Sequence, residues 1–144
     1  MVCVVVRNLT LCMAIAMAGV TVRAADGVVV IAHRDVPMLD SDSVNRIFTN
    51  RMFKVNGVVV TAVNTNRGDQ VRARFLRTFL NRSDDDYTVR MLTLQSTGFG
   101  SPPKELPATA QVISFVNSTP GAIGYIDESD VRPGMNVVLR AVSR

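Results

Sequence analysis

The run Gly27-Val28-Val29-Val30-Ile31-Ala32 constrains this chain more than any other stretch. It is continuously apolar and β-branched, with no polar residue to offer water, so a strand here suits a sheet covered on both faces. A central strand of a parallel or mixed sheet is expected. After the Asn56-Gly57 turn, Val58 to Val63 carries the same signature and reads as a second buried strand. Ala122 to Ile126 and Met135 to Leu139 are expected to complete the strand set.

Helical spacing separates these runs. Val44, Ile47 and Phe48 follow capping side chains within Leu39 to Ser43 and predict a short helix. Val71, Phe75 and Phe79 fall at i, i+4 and i+8 and predict a second, with Arg74 and Arg77 nearer water. Ser83-Asp84-Asp85-Asp86 opens a third, with Tyr87, Met91 and Leu94 on one face. Three successive acids suggest a metal, but a serine cap with acids in the first turn is what a helix dipole favours. No metal site is expected. Ser96 to Leu106 holds Gly98, Gly100, Pro102 and Pro103 and reads as an irregular loop. Ala108 to Asn117 resumes a helix, and Thr119-Pro120-Gly121-Ala122 fits a type II turn. Gly124 interrupts an apolar strand, where glycine implies close approach of a neighbouring segment or a bend.

Residues 1–24 are set apart from this pattern. Arg7 followed by the apolar stretch Leu9 to Val20 resembles a secretory leader, and Val22-Arg23-Ala24 places compact residues where a signal peptidase reads, so cleavage after Ala24 is expected. The apolar run is short for a spanning helix. Residues 25–144 then form one domain, since about 120 residues suffice for one core. Both cysteines, Cys3 and Cys12, lie in the leader, leaving the domain no thiol for a disulfide, a metal or a nucleophile. Taking Arg7 and Arg23 from the 16 basic residues leaves 14 against 12 acidic ones, a net charge of +2. With no basic block interleaved with aromatic residues, nucleic acid is not an expected partner.

The chemistry-bearing candidates gather at one loop. Asn64-Thr65-Asn66-Arg67-Gly68-Asp69-Gln70 joins a strand to a helix, where unpaired backbone N–H groups, the dipole and Arg67 can together hold an anion. The candidate ligands are the Thr65 hydroxyl, the Asn66 amide, the Arg67 guanidinium and the backbone amides of Gly68, Asp69 and Gln70. A strand-to-helix loop capped by its own polar residues has the same pattern, and the Asp69 carboxylate disfavours a dianion. His33, the only histidine, lies beside Arg34 and Asp35 with no nucleophile in sequence reach, which favours a structural role. Ser96, Thr97 and Ser101 lack a nucleophile-elbow arrangement. Neither catalysis nor a cofactor is expected.

In order, "VPMLDSDSVNRIFTN", "VVVTAVNTNRGDQVRARF", "TGFGSPPKEL" and "TPGAIGYID" resemble consecutive landmarks of the phosphate-binding proteins of ABC transporters. The resemblance covers nearly all of residues 25–144 and is nearest to small, single-domain exported members. It implies a single lobe of a type II periplasmic binding protein, an α/β fold with a mixed sheet flanked by helices, with Gly27 to Ala32 and Ala122 to Ile126 as the strands that cross between lobes. No segment corresponds to the other lobe. Relatives present an Arg, then Ser, Asp and Gly, then Ser-Gly-Thr to phosphate, whereas this chain reads Asn64 to Gln70 without those hydroxyls. The resemblance therefore implies one of two roles. One is a periplasmic or secreted solute-binding protein that takes phosphate or another small anion for a transporter or sensor. The other is a non-enzymatic interaction module that keeps the fold and contacts a membrane partner, a sensor or a second copy of itself.

Overall fold

The computed structural model describes residues 27–141. The expected leader and its cleavage site lie outside the described residues. Strand β1 (Val28–Ala32) is buried along its whole length and sits between β6 (Ala122–Asp127) and β7 (Val137–Arg140), antiparallel to both. On the far side of β6, β4 (Thr61–Thr65) and β5 (Lys104–Leu106) run parallel to one another, and β4 runs parallel to β6. The result is a mixed sheet in the order β5-β4-β6-β1-β7. A separate hairpin pairs β2 (Lys54–Val55) with β3 (Val58–Val59) across the Asn56-Gly57 turn.

Strand alternation divides the core between the two faces. Val28, Val30 and Ala32 of β1, with Ile123 and Tyr125 of β6, pack against α1 (Ser41–Phe48), α2 (Gln70–Phe75) and α3 (Asp84–Ser96). Val29, Ile31, Val63 and Ile126 point the other way, onto Val112 and Val116 of α4 (Thr109–Ser118). Helices on both faces explain why the first strand carries no polar residue. The chain is thus an α/β domain with a mixed sheet flanked by helices. Among the described residues, no helix is long and apolar enough to cross a membrane.

Local chemistry sets the element ends. Asp40 caps α1 by accepting the Ser43 N–H at 2.7 Å, and Ser83 caps α3 by accepting the Asp86 N–H at 3.1 Å. The last strand begins at Val137, two residues later than expected, and three other elements differ more. The Val58–Val63 run divides at Val60, because Val58 and Val59 belong to the small hairpin, where Val59 is exposed. Within the irregular loop, Lys104–Leu106 is captured as an edge strand by β4, a long-range pairing that local glycine and proline content does not reveal. After Phe75 the second helix widens into a π-turn, Leu76–Leu80, which turns Leu76 and Leu80 inward beside Phe79.

Candidate functional site

The loop after β4 is anchored from below by a buried polar chain. Tyr125 Oη accepts the Thr65 backbone N–H at 3.1 Å and donates to Asn64 Oδ1 at 3.3 Å. The Asn64 amide donates to Tyr87 Oη at 3.2 Å, and the Tyr87 hydroxyl donates to the Phe48 carbonyl at 2.8 Å. Each of these buried groups is therefore satisfied, which favours a single position for the end of β4. Phe75 stacks on the Tyr125 ring at 4.0 Å and closes the cluster. Burial pushes the Tyr87 phenol up to about 12, against the weaker pull of its Asn64 hydrogen bond, and burial also raises Tyr125. Both hydroxyls stay protonated near neutral pH and serve as structural donors.

Above this anchor, the loop's polar groups divide into committed and exposed ones. The Thr65 side chain is buried, its hydroxyl 3.4 Å from Tyr125 Oη. Gly68 adopts φ +83°, and its N–H donates to Asp84 Oδ2 at 3.1 Å. Asp69 caps α2, accepting the Val71 N–H at 2.8 Å. Asn66, Arg67 and Gln70 are exposed, and Arg67 reaches Asp85 at 3.5 Å. Arg67, Gly68, Ser83, Asp84 and Asp85 line an open hollow of about 490 Å³.

The best-connected charge is one that sequence reasoning did not single out. Arg72 is 1 % exposed. Its Nε donates to Asp84 Oδ1 at 2.8 Å, and its Nη1 donates to the Thr65 carbonyl at 2.8 Å and to Glu105 at 2.7 Å. The guanidinium also lies 5.7 Å from the Tyr87 ring centroid. Burial opposes its charge, but Glu105 and Asp84 outweigh that and raise its pKa. One cation thus ties β4, α2, α3 and β5 together. The sequence did hold a signal, since Arg72 stands three residues before Phe75 and seven before Phe79, on the apolar stripe itself.

His33 lies apart from this cluster. Its Nδ1 is 2.7 Å from Asp35 Oδ1, and the same carboxylate oxygen accepts the Gly121 N–H at 3.1 Å. The pair joins the end of β1 to the turn before β6.

No protein-family model and no curated protein matches the sequence. Solved structures do resemble the fold. A phosphate transport receptor of the ABC type from Vibrio cholerae aligns with a TM-score of 0.61 at 14% identity, over 78% of this chain and 45% of its own. A Clostridium perfringens phosphate ABC transporter substrate-binding protein, described as putative and solved with bound phosphate, aligns at 0.56 and 19% identity, over 78% and 44%. PstS from Borrelia burgdorferi aligns at 0.57 and 13% identity, over 78% and 46%. The chain spans less than half the length of each of these structures. At these identities the likeness establishes a shared fold with the aligned part of those structures.

Proposed function

We propose that this protein is an exported, non-enzymatic binding module, released from its leader near Ala24, that uses the binding-protein fold to contact a protein partner instead of holding free phosphate. The carrying observation is Asp84. Its carboxylate accepts from the Gly68 amide and from Arg72, the two donors that an anion beside this loop would most need. A phosphate entering the hollow would have to displace Asp84 from Arg72 and Asp85 from Arg67 before either guanidinium could pair with it. The hollow is also open, so charged contacts there are screened by water and salt. A permease, a sensor protein or a second copy of the chain are the partner classes that suit a binding fold on the outer side of a membrane.

The second reading, a small-anion site formed by Thr65, Asn66, Arg67, Gly68, Asp69 and Gln70, draws support from the exposed Arg67 side chain and from the phosphate bound in the Clostridium perfringens structure. Amide chemical shifts during titration with phosphate and sulfate separate the two. The module reading expects no movement of the Gly68 and Gln70 signals at millimolar anion. A saturable shift that Arg67→Ala abolishes would establish the anion site in its place.

A further inference from the structure

We infer that Asp84 is an internal ligand of the loop, occupying a socket that without it accepts a small carboxylate. This rests on the reading that the native loop holds no free anion. The Asp84 carboxylate receives three contacts. Oδ2 accepts the Gly68 N–H at 3.1 Å, Oδ1 accepts Arg72 Nε at 2.8 Å, and Oδ1 also lies 3.4 Å from the Thr88 hydroxyl. A loop amide and a guanidinium edge meeting the two oxygens of one carboxylate is the arrangement a bound oxyanion would show.

The socket does not depend on Asp84 for its shape. Nη1 of Arg72 is separately held by the Thr65 carbonyl and by Glu105, so the guanidinium plane stays fixed when the Nε partner is removed. Gly68 keeps its left-handed conformation through the turn in which the Asp69 N–H donates to the Asn66 carbonyl at 3.2 Å. Removal of the aspartate side chain leaves the buried Arg72 edge without its Nε partner and frees the exposed Gly68 amide beside it, so an incoming carboxylate regains the charge-assisted bond. Asp84 is tethered beside them by the chain, and this high local concentration is what excludes free anions from the native loop. Asp85, one residue on, has a side chain 92 % exposed and faces Arg67, so it does not fill the same place.

Chemical rescue tests the assignment. Asp84→Gly is expected to lower the melting temperature by several degrees, and about 100 mM formate to restore roughly half of that loss where chloride at equal ionic strength restores none. The Gly68 amide signal of the variant should shift saturably with formate, and inorganic phosphate, larger than the vacated carboxylate, should act more weakly. Asp85→Gly serves as the control and should show no formate-specific gain. If Asp84→Gly does not fold in chloride, the socket predicts refolding in formate, read by circular dichroism. Equal behaviour in the two salts, or a Gly68 signal indifferent to formate, overturns the inference. A phosphate shift at Gly68 in the unaltered protein would instead sink the module reading, so the two failures are distinguishable.

Discussion

Gly124 shows how much a single residue carries at the sheet surface. It lies on the face of β6 that meets α4, where a Cβ would come within 2.7 Å of Val112 Cγ1 and 3.1 Å of Val63 Cγ2. Glycine weakens a strand, yet here its missing side chain lets α4 sit down on the sheet. Of the two causes expected from the sequence, close approach is the one the packing supplies. Gly124→Ala is therefore expected to cost about 1–3 kcal/mol through overpacking, measured as a lower midpoint in urea. Gly121 is constrained differently. It combines φ +74° with a backbone lying so close to the Val59 carbonyl oxygen that a Cβ has no room between the turn before β6 and the hairpin. Arg72 is the polar counterpart of these glycines, since its position on the apolar stripe of α2 puts a charge in the interior and forces Asp84 and Glu105 to meet it.

At the scale of elements, the second helix is the instructive case. The i, i+4, i+8 spacing of Val71, Phe75 and Phe79 predicts a regular α-helix, and Phe75 and Phe79 are buried as expected. The last turn nonetheless widens to π geometry, and Asn81 ends it at φ 52°, its N–H donating to the Leu76 carbonyl. Asparagine tolerates that left-handed conformation and glycine adopts it freely, whereas alanine does not. Asn81→Ala should lower stability by about 1 kcal/mol while Asn81→Gly stays within a few tenths, as read from thermal unfolding followed at 222 nm. A loss shared equally by the two variants would show that the Asn81 side chain matters more than its backbone angle.

The whole molecule stores its acid sensitivity in paired carboxylates. Asp40 is lowered chiefly by the Ser43 N–H. For Asp35 and Asp127, burial is the largest single influence and pushes upward. It is outweighed at Asp35 by His33 and the Gly121 N–H, and at Asp127 by Ser129 and Arg74. All three lie below their ordinary 3.8 in the folded state, so their contribution is present above about pH 4 and is lost as the pH falls through the lowered values. Tyr87, raised from 10.0 to about 12, works in the opposite sense, and its contribution is complete below pH 10 and lost between pH 10 and 12. Denaturant midpoints should accordingly fall at both limits. A midpoint unchanged between pH 5 and pH 3 would contradict the acid arm.

The sequence by itself determined the layered α/β fold. An uninterrupted apolar strand cannot leave either face wet, and helical spacing between strands supplies the cover. Cap residues such as Asp40 and Ser83 were legible for the same reason, because their partners lie three residues away in the chain. The loop from Thr65 to Gln70 was legible as a place where polar groups gather, and only the tertiary structure decided how they are used. Asp84 and Glu105 lie 12 and 33 residues from Arg72, and no local pattern reports that α3 and β5 bring their carboxylates to one guanidinium. The capture of β5 by β4 is non-local in the same way. Periodicity records which face of an element meets the core, while the identity of the group waiting there is set by chain topology.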